Sequence, residues 1–266
     1  MIKLNLYEKI GEGITSIAYS DYKNVILVGK KEDSLDQYYK LLKNLELVDK
    51  NISINIPRKP QIFGKSEQFP FGAIIYNGVS GDEINKNILT KHQKKQIGID
   101  LGLFLIELHG IKIDFDRDKV ISQEKAEVSH NFSLIKNYIS KDNYSKLTGF
   151  LIDYFELLDQ CEICLTHGDL HRKNIIINDK NELAGIIDFG DLDFRPVEYD
   201  FSFIYDYDKS IYENMIKNYN KTVNEKMVKL CLLFHYLKMF KLIVNNKDSN
   251  AKKIFNKIVN YINIIL

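Results

Sequence analysis

The chain is short of several things, and each shortage narrows what it can be. It has only three cysteines in 266 residues, Cys161, Cys164 and Cys231. That count is small and odd, which excludes a disulfide framework and fits a reducing compartment. The spacing of Cys161 and Cys164 is that of half a zinc site, but no second pair exists, so both are read as buried thiols. Charge of one sign is also missing: the net charge is +1 although 27% of residues are charged. Nothing in the bulk therefore advertises a nucleic acid or an anionic membrane surface as partner, and any charge selectivity must be local. Long apolar runs are absent as well. The most apolar stretch, "LCLLFHYLKMF", is broken by His235 and Lys238, too short and too polar to span a bilayer. The opening "MIKLNLYEKIGEG" holds no apolar core of signal-peptide length, so a cytoplasmic protein is expected. Prolines number four, and Pro57, Pro60 and Pro70 are expected between elements, where a missing N–H does no harm. Arginine is confined to Arg58, Arg117, Arg172 and Arg195, a compositional bias toward lysine rather than a functional sign.

What remains is ample for a core, since 45% of residues are hydrophobic. Up to about residue 80 the pattern is β-rich. "LYEKIGEG", "TSIAYSDY" and "NVILVGKK" read as a three-strand meander, and "QIFGKS" and "FGAIIYNGVSG" as two further strands. Between them "SLDQYYKLLKNLEL" has helical spacing through Leu35, Tyr39, Leu42 and Leu45. From Thr90 the period changes. Ile97, Leu101, Phe104, Leu105 and Leu108 form one stripe, opened by a Thr90–Gln93 capping box and stopped by Gly110. Helices of the same kind follow in "YSKLTGFLIDYFELLDQ", "NEKMVKLCLLFHYLKMFKLIV" and "NAKKIFNKIVNYINIIL". The expectation is an α+β fold of two lobes, residues 1–80 with an antiparallel sheet and one helix, and residues 81–266 mainly helical.

One segment does not belong to that helical pattern. "HGDLHRKNIIIN" places polar residues before a strand that turns at Asp179, Lys180 and Asn181 and returns as "ELAGIID". Pairing those strands brings Asn174, at the start of one, beside Asp188, at the end of the other. An amide and a carboxylate oxygen are hard ligands suited to Mg²⁺ together with phosphate oxygens and water. Asp169, five residues before Asn174, can then lie across the site and hold the proton of an incoming hydroxyl. Phosphoryl transfer needs mainly positioning and charge neutralisation, so this set is chemically sufficient. Any one of these residues alone is better read as a loop cap; all three in this register favour a site. The i, i+4 pair His167 and His171 is not read as a zinc pair, because the segment leads into a strand.

"HGDLHRKN" followed by "IIDFGD" resembles the catalytic loop and metal segment of the aminoglycoside phosphotransferase family, whose fold is similar to that of protein kinases. The order of "GEGITSIAY", the hinge-like "IIYNGVSGDEI" and the helix ending "LIELHGIKID" is also that of the family. The resemblance implies a catalytic Asp169, Mg²⁺ ligands Asn174 and Asp188, and His167 as the brace of the loop against the DFG segment. It implies ATP or GTP as donor, with Gly11 and Gly13 in the phosphate turn, Lys30 on the phosphates and Tyr76 of the hinge-like strand beside the nucleotide. The acid expected to pair with Lys30 is Asp36 or a residue one turn further on, where this chain has Tyr38 and Tyr39. Gly168 stands where protein kinases usually have Arg, and "DLDFRPVEYDFSF" is too short for an activation loop, so a small-molecule acceptor is favoured over a protein. Asp200 is read as a structural anchor.

Between Asp188 and Glu213 eight acids face only Arg195 and Lys209. They either cap helices in solvent or line a pocket for a polycation. On the second reading Asp191, Asp193, Glu198, Asp206 and Asp208 are candidate substrate contacts. The acceptor implied is an aminoglycoside. Competing readings are a kinase of the same fold for choline, methylthioribose, homoserine or a protein hydroxyl, and a non-catalytic nucleotide-binding module. Neither a nucleic acid nor a membrane is an expected partner.

Overall fold

The computed structural model describes residues 3–13, 15–245 and 251–265. The chain divides into two compact units, both discontinuous in sequence. One comprises residues 1–111, 167–192 and 210–220, the other residues 112–166, 193–209 and 221–266. Neither coincides with residues 1–80 or 81–266.

The first unit opens with strands β1 (Glu8–Glu12), β2 (Ser16–Ser20) and β3 (Asn24–Gly29), the meander expected from their β-branched and aromatic residues. Helix α1 (Ser34–Asp49) follows, then β4 (Arg58–Phe63) and β5 (Ala73–Asn77), giving an antiparallel sheet of order β1-β2-β3-β5-β4. Ile26, Phe69 and Ala73 are buried there, with Val28, Phe63 and Ile75 packed around them. Two expectations need correction. Pro60 lies inside β4 rather than between elements. It is tolerated because β4 is an edge strand whose register slips between Arg58 and Gln61, a place where no ladder N–H is demanded. The buried stripe of α1 is Tyr38, Leu41, Leu45 and Val48: Leu45 is buried as expected, but Tyr38 and Leu41 stand in place of the expected Tyr39 and Leu42, and Tyr39 is half exposed.

The rest of the first unit positions the hairpin of residues 175–186. After the short strand β6 (Asp82–Glu83), helix α2 (Lys91–His109) starts at the Thr90–Gln93 capping box and buries its expected stripe. Its Gly98 and Gly102 are there for close approach: a Cβ on either would lie 2.5 Å from the Ile211 carbonyl oxygen or 2.6 Å from that of Met215. A tight crossing by residues 210–218 results. Strands β8 (Ile175–Ile177) and β9 (Leu183–Ile186) form the hairpin, with β6 on the outer side of β8. Its turn is closed by Asn178, whose Oδ1 accepts from the backbone N–H groups of Lys180 and Glu182, and by Asn181 in the left-handed region at φ 60°.

The second unit pairs β7 (Ile163–Thr166) with β10 (Asp193–Pro196), antiparallel. Around this ribbon pack α3 (Arg117–Ile135), α4 (Lys141–Gln160), α5 (Tyr199–Tyr207), α7 (Glu225–Asn245) and α8 (Ala251–Ile265); α6 is Lys209–Asn218. Their core holds Phe132, Phe150, Tyr154, Leu233 and Ile258. Cys164 and Cys231 are buried and Cys161 is half-buried, all as free thiols; burial pushes Cys161 up to about 12. Helix α3 has no counterpart in the sequence reading. It buries Ile121, Val128, Phe132 and Ile135 and starts on an Asp116 cap that accepts from Lys119 N. Among the described residues no helix is long and apolar enough to cross a membrane.

Candidate active site

The loop between residues 167 and 174 is fixed by its own backbone before any ligand is considered. Gly168 has φ 80°, a conformation costly for any residue with a Cβ, which accounts for glycine at this position. Asp169 O accepts from His171 N at 2.8 Å, and His171 O accepts from Asn174 N at 2.9 Å, coiling the chain into a 3-10 turn over Arg172–Asn174. Asn174 is buried and its Nδ2 donates to the Asp169 carbonyl at 2.8 Å and to Asp169 Oδ2 at 3.2 Å. The amide nitrogen is thus spent on Asp169, leaving Oδ1 as the end of Asn174 able to ligate a cation.

His167 is fully buried beneath this loop. Its Nδ1 accepts from Asp169 N at 3.3 Å, so Nε2 carries the proton and donates to Ile187 O at 3.0 Å. One ring therefore ties the loop to the residue before Asp188. With both nitrogens engaged, His167 is no zinc ligand, and among the described residues no group of three His, Cys, Asp or Glu forms a metal cluster.

The hairpin register supplies the rest. Ile175 pairs with Ile186, and Ile187 N donates to Asn174 O at 3.0 Å, so Asp188 emerges next to Asn174. Asp188 is left-handed, φ 68° and ψ 64°. That backbone turns the Asp188 side chain outward, exposed, while the Phe189 ring stays fully buried against His167 at 4.8 Å and Phe104 at 6.5 Å. The charge of Asp188 reaches two neighbours. His171 is held below the usual histidine range by burial, with Asp188 pulling the other way. Tyr76, half-buried on β5, has its phenol raised by burial first, then by Asp188 and Tyr38. His171 Nε2 stands 3.8 Å from Asp169 Oδ2. The structure thus brings Asp169, Asn174, Asp188, His167 and His171 into one place, with Tyr76 within electrostatic reach.

On the sheet side, Lys30 follows directly after β3. Its Nζ donates to Glu12 Oε1 at 2.6 Å and to Gly13 O at 3.2 Å. This corrects the expected pairing. The partner is not Asp36, which lies exposed in the first turn of α1, but the acid between the two glycines. Lys30 and then Lys9 hold the Glu12 carboxyl well below its ordinary range, at about 2. One turn into α1, where an acid was the other expectation, buried Tyr38 instead makes a 2.8 Å hydrogen bond with Ser16 Oγ of β2. Gly13 N donates to Ser16 O at 2.8 Å, closing a hairpin turn, and a Cβ on Gly11 would meet nothing within 4 Å. Ile14, in the same turn, lies outside the described residues.

The five acids expected at the substrate do not share one environment. Asp191, in the first unit, is exposed. In the second unit Asp193 is exposed, with Oδ1 accepting from Phe194 N at 2.8 Å. Asp208 is half-buried just past α5. Glu198 must be withdrawn from the set. Its side chain is only 4% exposed and accepts from Asn224 N at 3.2 Å, so no substrate ammonium reaches it. Asp206 is exposed but already engaged, accepting at Oδ2 from Tyr236 OH at 2.7 Å and Lys257 Nζ at 3.4 Å, which braces α5 to α7 and α8. Asp200 is fully buried in the first turn of α5, in line with a structural role.

Two residues of this neighbourhood escaped the sequence reading. Glu12 carried a signal, an acid between two glycines on a strand adjoining Lys30. Asn44 of α1 carried none: its Nδ2 donates to Phe189 O at 2.7 Å, across 145 positions of sequence.

With this geometry in hand, comparison with known proteins gives the fold a context. The structure is similar to the GDP and kanamycin complex of APH(2")-IIia, at TM-score 0.80 and 19% identity over 99% of this chain and 94% of that one. The gentamicin complex of APH(2")-IIa is similar at TM-score 0.72 and 20% identity, over 98% and 92% of the two chains. A macrolide 2'-phosphotransferase from Brachybacterium faecium is similar at TM-score 0.69 and 14% identity, over 96% and 91%. At these identities the likeness is one of fold, and it matches the α+β, kinase-like class expected from sequence. The model of the phosphotransferase enzyme family matches residues 33–225, well over half of the sequence, and the chain belongs to that family.

Proposed function

We propose that this enzyme transfers the terminal phosphate of ATP or GTP to a hydroxyl of a small cationic molecule, an aminoglycoside as first choice. The observation that carries the proposal is the double hydrogen bond from Asn174 to Asp169, with Asp188 brought alongside by the hairpin. Asp169 accepts at Oδ2 from the neutral Asn174 amide, and on this reading the same carboxylate accepts from an incoming hydroxyl. Asn174 Oδ1 and the Asp188 carboxylate are two hard oxygens, a donor set that fits Mg²⁺. When bound there the ion supplies charge neutralisation for the phosphates.

Every other task falls to the chain's own residues. Lys30 leaves Glu12 for the phosphates, and Gly11 offers an open backbone for their approach. Tyr76 borders the nucleotide. His167 keeps the catalytic loop and the Asp188 segment in register. On this reading residues 1–80 handle the nucleotide and residues 81–266 supply catalysis and acceptor, in the cytoplasm. Asp191, Asp193 and Asp208 remain as acceptor contacts.

A second reading has one specific observation behind it. With Glu198 buried and Asp206 already paired, fewer acids remain to hold a polycation, which favours a hydroxylated acceptor of lower charge. Labelled ATP and GTP with a panel of kanamycin, gentamicin, a macrolide, choline and methylthioribose separates the two. Transfer to an aminoglycoside supports the first; transfer only to a less charged acceptor replaces it.

A further inference from the structure

The apolar stripe of α1 has a polar interruption. Asn44 lies half-buried beside Leu41, Leu45 and Val48, where an amide without partners is costly. Its Nδ2 donates at 2.7 Å to Phe189 O, a carbonyl that also receives a longer turn bond from Leu192 N at 3.4 Å. Asp188 therefore sits between two carbonyls that are each fixed by a side chain: Ile187 O by the His167 ring and Phe189 O by the Asn44 amide. Between them lies a left-handed backbone at φ 68°, which a residue with a Cβ adopts only when its surroundings hold it there.

We propose that Asn44 is a positioning residue for Asp188. It clamps the Phe189 carbonyl and so keeps the Asp188 carboxylate turned outward for a divalent cation, a role that rests on the reading of Asp188 given above. The bond also ties α1, an element of the sheet side, straight to the segment that carries the ligand. His167 anchors that segment from below and Asn44 from α1, so loss of either anchor frees one flank of Asp188.

Asn44→Leu removes the donor and keeps the volume; Asn44→Asp keeps the shape and sets an acceptor against the carbonyl. Hydrogen exchange on the nucleotide-free chain reads the clamp without any catalysis. Amides of residues 190–192 should exchange several-fold faster in both variants, while the interior amides of α1 stay within about twofold of wild type. In turnover, half-saturation by Mg²⁺ should rise about 3- to 10-fold, the factor one hydrogen bond of ordinary net strength is worth, with nucleotide KM at saturating Mg²⁺ unchanged. If Leu at position 44 does not fold, Asn44→Ser carries the same test. An inactive wild type would sink the proposed function and leave the exchange result to judge Asn44. Unaltered exchange at residues 190–192, exchange raised equally along all of α1, or an unmoved Mg²⁺ half-saturation overturns the proposal.

Discussion

Asp188 sets backbone and side chain against each other, and a substitution series there separates the two. At φ 68° and ψ 64° a residue with a Cβ carries about 1–2 kcal/mol of steric cost, somewhat less for Asp and Asn, whose short polar side chains are better tolerated. Glycine removes that cost but adds about 0.5–1 kcal/mol of unfolded-state entropy. Because the Asp188 side chain is exposed, its replacement leaves no cavity. Asp188→Gly should therefore be neutral to stabilising by up to about 1 kcal/mol, raising Tm by about 0–4 °C in a chain of this size. Asp188→Ala should lose about 1 kcal/mol, and Asp188→Asn should stay close to wild type. All three should lose turnover, since each deletes the carboxylate proposed to hold the cation. Differential scanning fluorimetry and a coupled turnover assay read both quantities on the same preparations. A glycine variant that melts lower than the alanine variant would refute the left-handed backbone. A glycine variant that keeps turnover would refute the carboxylate's role.

The remaining predictions test neighbouring parts. Tyr38→Phe and Ser16→Ala should each cost about 0.5–1.5 kcal/mol in urea denaturation, and the double variant should cost little more than either, because both remove the same hydrogen bond. Lys30→Ala should raise the nucleotide KM at least tenfold with Tm nearly unchanged, because its partner Glu12 is exposed; an unchanged KM would remove Lys30 from the phosphates. Burial raises the Glu198 carboxyl above its usual range, so the folded chain binds this proton more tightly than the unfolded one. The stabilisation from that proton is whole below about pH 4.5 and fades as pH rises through the folded pKa. Glu198→Gln should thus stabilise at pH 7 and lose that advantage at pH 4, in melts run at both; equal effects at the two pH values would contradict the burial argument.

The β8–β9 hairpin was legible in sequence because its determinants were local. Turn residues at Asn178 and Asn181 set the register, and the register alone set Asn174 beside Asp188. The stripe of α2 was legible for the same reason, a 3.6-residue period with caps at both ends. Helix α3 was not, since six residues without a large apolar side chain separate its buried Ile121 from Val128, and its packing against α7 is recorded in no local window. Part of the stripe of α1 slipped by one position because Tyr39 and Leu42 match the period as well as Tyr38 and Leu41 do, and only the sheet decides which face is inward. The lysine partner lies 18 positions away and its one sign, an acid between two glycines, was passed over, while the Asn44 bond spans 145 positions and no residue type pointed to it. Pairing likewise separated Glu198 and Asp206 from acids that looked equivalent in composition.

The most direct test pairs catalysis with binding at Asp169. The purified chain with Mg²⁺ and labelled ATP or GTP should pass phosphate to at least one small acceptor. Asp169→Asn should abolish that transfer while thermal stabilisation by nucleotide and Mg²⁺ stays within about twofold of wild type in apparent affinity. Transfer that survives in Asp169→Asn, or a wild type that binds nucleotide and phosphorylates no acceptor from either donor, would contradict the account.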